Sequence, residues 1–190
     1  MACQNMSTMA LQTSFLGPDT ETRLPPSTRY QGSKFKLLSF LWDNIGVLGF
    51  DTALDAFGGT GSVAYLLKAH GKTVTYNDCL KFNHWIGTAL IENDGELLTD
   101  EEVQFISSKH PEIAYDDFVS RTFSGIYFTD EENRWIDIAS QNILQIEDKY
   151  KRALAFYALF QSCIAKRPYN LFHRKNLYMR TAEVERSFGN

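Results

Sequence analysis

Cysteine is scarce: Cys3, Cys79 and Cys163 are the whole supply in 190 residues, an odd number without CxxC spacing. That excludes a disulfide framework or a cysteine-rich zinc site as the basis of the fold, and leaves reduced, unpaired thiols as the expectation. Long apolar runs are lacking too. No stretch approaches the roughly 18 to 20 uninterrupted apolar residues of a membrane span, and the opening MACQNMSTMALQTSFLGPDTETR has no basic segment leading into an apolar one. The expectation is a cytoplasmic protein that does not enter a membrane. What is present suits a globular chain: 44% hydrophobic, 14% aromatic and 22% charged residues are far from the composition that keeps a chain unfolded. The length fits one domain, or one domain carrying a sizeable insertion.

A net charge of -4 by itself counts against a nucleic-acid partner, but the mean conceals an uneven distribution. From Glu92 to Asp117 there are nine acidic residues against one lysine, whereas from Lys149 to Ala182 there are eight Lys or Arg and no acid. One end of the molecule can therefore be basic.

Residues 1–28 are polar, carry Gly17, Pro18, Pro25 and Pro26, and show no sustained period, so they read as a tail. Ser33 can cap a helix with Leu37, Leu38, Leu41, Trp42 and Ile45 at helical spacing and Gly46 as its stop. A short strand over Thr52 to Phe57 then runs into Gly58, Gly59 and Gly61. A helix from Ser62 closed by Gly71 follows, and a second strand over Lys72 to Tyr76 ends at Asn77 and Asp78. Strand, glycine loop, helix and strand make a βαβ unit, the element of parallel sheets with helices on their faces. Phe82, Trp85, Ile86, Ala89 and Leu90 fall on one face of a further helix. Beyond Asn93 no clear third strand appears, and the pattern turns helical. Thr99 with Glu102 and Thr129 with Glu132 stand in capping-box spacing, one helix carries Trp135, Ile136, Ala139 and Ile143, and the next carries Ala153, Phe156, Tyr157, Phe160, Cys163 and Ile164 as a core stripe. The expected division is a tail over 1–28, an α/β part over 29–96, and a helical and basic part over 97–190.

The most informative stretch is LDAFGGTGSVA, Leu54 to Ala64. Glycines between a strand and a helix allow positive φ and close approach of a ligand to the backbone, and the helix start supplies free N–H donors. Gly59 to Ala64 fits the G-x-G-x-x-G/A dinucleotide fingerprint, so a nicotinamide-dependent oxidoreductase is one reading. Asp55 argues against it. A carboxylate at the end of the first strand repels a pyrophosphate and attracts a cation, and S-adenosylmethionine carries a positive ammonium and a positive sulfonium. Asp78, at the end of the second strand, is then placed to accept hydrogen bonds from ribose hydroxyls.

Upstream stands Arg29-Tyr30-Gln31-Gly32-Ser33-Lys34, and the order RYQGSK, DAFGGTGS, YND resembles the adenine-specific DNA methyltransferases of the Dam-like, D12 class. FSGIYFTDEENRWID and KRPYNLFHR are similar to a subgroup of the same family. The resemblance implies a partial Rossmann-like S-adenosylmethionine-dependent methyltransferase fold, α/β with a mostly helical insertion. It implies S-adenosylmethionine as cofactor and double-stranded DNA as partner. On that resemblance the cofactor-binding residues are Tyr30, Gly32, Lys34, Asp55, Phe57, Gly59, Gly61 and Asp78, with Lys34 also facing DNA.

The segment Lys166 to Arg180 interleaves five cationic residues with Tyr169, Phe172 and Tyr178. Cations neutralise phosphates, and aromatic rings stack on bases, so this loop suits a DNA surface. Packing of the three rings on neighbouring helices is the alternative. In the resembled family this region holds the target-recognition element, which makes Lys166, Arg167, Tyr169, Arg174, Lys175 and Arg180 DNA-binding candidates. His173 has no neighbour that suggests metal binding, and no metal site is expected.

One family feature is missing. Methylation of adenine N6 needs the base extruded and its amino group aligned with the methyl donor, which the family does with an Asp/Asn-Pro-Pro-Tyr/Phe tetrad. The only adjacent prolines here, in Leu24-Pro25-Pro26-Ser27, lack the acid, amide and aromatic, and Arg167-Pro168-Tyr169 offers a cation where an acceptor is needed. No catalytic residue is assigned. The tetrad is expected beyond Asn190, in a second chain of a split enzyme, or not at all, in which case the chain is a non-catalytic cofactor- and DNA-binding subunit.

Overall fold

The structure is a computed structural model that describes residues 33–166. The tail, Cys3, Tyr30, Gly32, and the DNA-binding candidates Arg167, Tyr169, Arg174, Lys175 and Arg180 lie outside the described residues. A single 3-10 turn, Phe35–Leu37, leads into α1 (Leu38–Ile45). The βαβ unit follows as β1 (Thr52–Asp55), α2 (Ser62–Ala69) and β2 (Thr73–Tyr76). Next come α3 (Lys81–Gly87), which continues into a π-helical turn over Thr88–Glu92, and then α4 (Asp100–Ser107), α5 (Phe118–Phe123), α6 (Asp130–Ile143) and α7 (Lys149–Lys166). No helix among the described residues is long and apolar enough to cross a membrane.

The two strands pair in parallel with Thr52 opposite Thr73 and Asp55 opposite Tyr76. β1 is shorter than the apolar run predicts, because the chain turns after Asp55. The Asn77 carbonyl accepts the Gly58 N–H at 2.9 Å and the Asn77 side-chain amide donates to the Ala56 carbonyl at 2.9 Å, which ends strand geometry there. Side chains alternate across a strand. Val74 and Tyr76 pack on a cluster built from Ala64 of α2, Ile86 of α3, Ala89, Leu90 and Ile91 of the π turn, and Ala153 and Tyr157 of α7. Thr52, Leu54, Thr73 and Thr75 point the other way and are exposed. Among the described residues, helices cover one face of this small sheet. The architecture is mixed α/β, mostly helical, around a two-stranded parallel sheet.

The Ser33 hydroxyl accepts the Phe35 N–H at 3.3 Å, but it stands at the 3-10 turn, and α1 itself starts only at Leu38 without a side-chain cap. Of its apolar positions Leu38 is buried and Leu37 exposed. Both capping boxes form: Thr99 and Glu102 exchange hydrogen bonds at the start of α4, and Thr129 and Glu132 do so at the start of α6.

α7 departs from its expected single stripe. Ala153 and Tyr157 join the cluster beneath the sheet, while Ala155 and Leu159 join a second cluster with Ile106 of α4 and Ala139 and Ile143 of α6. Two positions are about 200° apart around a helix, so the pairs face opposite ways and α7 is packed between the two clusters. It ties the α/β part to the helical part.

α6 buries polar as well as apolar residues: Asn133, Asp137 and Asn142 lie with Ala139 and Ile143, while Trp135 and Ile136 are half-buried. Asp137 and Asn142 are fully engaged, whereas Asn133 donates to the Phe123 carbonyl at 3.4 Å and its own oxygen has no partner among the described residues. The Asp137 carboxylate accepts the Val119 and Ser120 N–H groups at 2.8 Å, satisfying the start of α5. Cys79 and Cys163 are free thiols, and burial, assisted by the nearby Glu132 charge, pushes the Cys163 thiol up to about 11.

Candidate functional site

The end of β1, the glycine loop and the start of α2 form a cleft of about 180 Å³ lined by Asp55, Phe57, Gly58, Gly59, Thr60, Ser62 and Val63, with Ser33 and Lys34 on its other wall. Gly59 (φ +54°) and Gly61 (φ +73°) both occupy the left-handed region, which a side chain rarely tolerates. Those two turns bring the chain from the strand into α2 and bury Thr60 and Ser62, whose hydroxyls lie 3.1 Å apart.

Asp55 is the acid of this cleft. Its Oδ2 is buried and has no hydrogen-bond partner among the described residues. Burial raises its carboxyl above the ordinary range, the Asp78 charge adds to that, and the Ala64 and Phe57 N–H groups pull against it. A desolvated carboxylate with an unused acceptor is a poor neighbour for a phosphate and a good one for a cation.

Asp78 behaves oppositely. Its modest burial acts upward but is outweighed by hydrogen bonds from Asn83, Leu80, Gly59 and Cys79, so its carboxyl falls below the ordinary range. Oδ2 accepts the Gly59 N–H at 2.9 Å, and Oδ1 accepts the Leu80 N–H and the Asn83 side-chain amide, each at 2.9 Å. The second acid is therefore joined to the first strand's loop and stays ionised.

Of the predicted cofactor residues, Lys34, Asp55, Phe57 and Gly59 line the cleft together, Gly61 sits at the turn behind it, and Asp78 touches it through Gly59. Phe57 is 90% exposed, so its ring is available to a ligand. The sequence reading did not include Thr60, Ser62, Tyr76 or Asn83. Hydroxyl residues flanking Gly61 were a usable signal for the first two; nothing local marks the last two.

The basic stretch is less free than its sequence suggests. Lys149 pairs with Glu92, Lys151 with Glu102 at 2.9 Å, and Lys166 with Glu132 at 3.6 Å. Arg152 donates to the carbonyls of Ile146 and Glu147. The acidic run and the basic run therefore partly neutralise one another across the fold. Among the DNA-binding candidates Lys34 and Lys166 are described; Lys34 lies at the cleft and Lys166 at the end of α7.

The family profile for D12 class N6 adenine-specific DNA methyltransferases matches residues 30–181. A Type II methyltransferase of Haemophilus parahaemolyticus, M2.HphI, is 35% identical over 147 residues, which are 77% of this chain and 43% of the relative. The chain thus spans less than half the length of that relative. No solved structure matches significantly.

Proposed function

Because the chain belongs to the D12 class of N6 adenine-specific DNA methyltransferases, we propose that it binds S-adenosylmethionine in the cleft at the end of β1 and forms the cofactor-binding portion of an enzyme that methylates adenine N6 in DNA. The observation that carries this reading is the buried, unpartnered Oδ2 of Asp55 beside the glycine loop. It fits the ammonium of the cofactor's methionine moiety. The same carboxylate disfavours the pyrophosphate of a nicotinamide cofactor, which ranks that reading last.

The residues divide the work. Asp55 takes the ammonium, Gly59 and Gly61 let the methionine moiety approach the backbone, and Asp78, ionised and held at the loop, offers its remaining lone pairs to the ribose. Tyr30, Gly32, Lys34 and Phe57 complete the set of cofactor-binding residues. When bound, the cofactor supplies an electrophilic methyl group on a sulfonium. The chain's own task is to orient it and to keep Asp55 out of water, where its attraction for the ammonium is strongest.

The finer fold follows from the same reading. β1 pairs with β2 on one side, and no described strand pairs its other edge, while Leu54 is 65% exposed on the face that no described helix covers. An open edge beside an uncovered apolar face favours addition of another strand and of packing on that face. We assign that place to the rest of a Rossmann-like sheet, contributed with the Asp/Asn-Pro-Pro-Tyr/Phe tetrad by a further segment or a second chain. Residues 97–190 form the DNA-facing part, with Lys166, Arg167, Tyr169, Arg174, Lys175 and Arg180 on double-stranded DNA in the cytoplasm. A non-catalytic cofactor- and DNA-binding subunit of a split methyltransferase is the second reading.

The test is transfer of labelled methyl from S-adenosylmethionine to duplex DNA in cells' extract expressing the chain with its flanking coding sequence, followed by nucleoside analysis. Label in N6-methyl-2′-deoxyadenosine is the expected result. Label confined to a methylcytosine would contradict the proposal, and transfer by the 190-residue chain alone would eliminate the non-catalytic reading.

A further inference from the structure

Gly59 is gripped from both sides. Its N–H donates to Asp78 Oδ2 at 2.9 Å, and its carbonyl accepts the Tyr76 hydroxyl at 2.6 Å. Both holding groups come from β2 or the residues just after it, so the second strand grasps the loop that follows the first.

Neither group has room to move. A Cβ on Gly58 would lie 2.2 Å from Tyr76 Cε2, and a Cβ on Gly87 would lie 2.4 Å from Tyr76 Cδ1. Real atoms do not approach so closely, so the ring occupies a slot that exists because residues 58 and 87 both lack side chains. Asp78 is braced by Asn83, which is 1% exposed and donates to Oδ1, with the Leu80 N–H on the same oxygen. The Asn83 side-chain carbonyl is buried without a partner among the described residues. Burying an unsatisfied acceptor costs stability, so the packing of Asn83 is poor for its own sake and makes sense as a brace on the carboxylate.

We propose that Tyr76 and Asn83 are positioning residues for the cofactor: Tyr76 fixes the backbone of Gly59, Asn83 fixes the carboxylate of Asp78, and the loop is built before the ligand arrives. This rests on the reading that the cleft binds S-adenosylmethionine. Neither residue touches the ligand; each removes disorder that binding would otherwise have to remove.

The test uses Tyr76→Phe, which keeps the ring in its slot and deletes one hydroxyl, and Asn83→Ser, which shortens the brace. Affinity for S-adenosylmethionine, melting temperature and amide hydrogen exchange at Gly59 are measured on the full chain. Tyr76→Phe should weaken the cofactor about tenfold, the weight of one hydrogen bond, and lower the melting temperature by only about 2 to 4 °C. Gly59 exchange in the ligand-free protein should speed up by a similar factor, a change that a purely structural role for the hydroxyl elsewhere would not produce. Should Asn83→Ser fail to fold, Tyr76→Phe decides alone. Wild-type affinity in Tyr76→Phe, with Gly59 exchange unaltered, would overturn the positioning role and leave the cofactor reading standing. Absence of binding to the wild-type chain would overturn both.

Discussion

Asp55→Asn is expected to weaken S-adenosylmethionine about 10- to 100-fold, the range for losing a charged partner in a sheltered site, without lowering the melting temperature. Asparagine keeps the shape and one acceptor but removes the charge. In the ligand-free protein that charge is a burden, since Oδ2 is buried and unpartnered and burial raises the carboxyl above 3.8. A carboxyl raised in the folded state is less stable ionised than in the unfolded chain. The cost is therefore present at neutral pH and is relieved as the pH falls through the folded-state midpoint, which lies above 3.8. Wild type should lose cofactor affinity over that acid window while Asp55→Asn stays flat, and their melting temperatures should converge there. Calorimetric titrations and thermal melts across the acid range check both. A substitution that lowers stability at neutral pH and leaves affinity unchanged would place Asp55 outside the site.

Asn142→Ala is expected to do the reverse: about 3 kcal/mol of lost stability, the weight of several buried polar groups left unpaired, with cofactor affinity unchanged well below the melting point. Asn142 is 0% exposed. Its amide donates to the carbonyls of Phe105 at 3.0 Å, Ile106 at 3.1 Å and Ser108 at 2.7 Å, which close the end of α4. Its own oxygen accepts the Tyr115 hydroxyl at 2.7 Å. Alanine takes this partner from the Ile106 and Ser108 carbonyls and the Tyr115 hydroxyl in a sheltered place and opens a cavity besides, while the Phe105 carbonyl keeps the Ser108 N–H and the His110 ring nitrogen. At roughly 2 to 4 °C per kcal/mol for a chain of this size, the melting temperature should fall by about 6 to 12 °C. A denaturant melt measures the free energy directly; a loss under about 1 kcal/mol would mean that water satisfies the carbonyls in place of the amide.

The contrast between these two residues shows what a sequence reveals. Asp55 and the glycines announce themselves because strand, acid, loop and helix are contiguous, and contiguous chemistry is legible. Thr99 with Glu102 and Thr129 with Glu132 were legible for the same reason, since a capping box spans four residues. Asn142 reads locally as one polar residue near the end of a helix. Its importance comes from carbonyls 34 to 37 residues away. Tyr76 is hidden likewise, because its slot depends on missing side chains at Gly58 and Gly87, positions that only the fold brings together. α7 misled a single-face reading because its two buried sides each look incomplete when one period is sought. The charge runs misled in another way: the separation along the chain is real, but Glu92, Glu102 and Glu132 meet Lys149, Lys151 and Lys166 in space. Such pairs add little stability at a surface, yet in the DNA-free protein they partly neutralise these three cations.

The central claim is that the cleft at the end of β1 selects a cation over a pyrophosphate. Its most direct test is calorimetric titration of the chain with S-adenosylmethionine and, separately, with NAD. One equivalent of S-adenosylmethionine should bind and NAD should not; binding of NAD with none of S-adenosylmethionine would contradict the account.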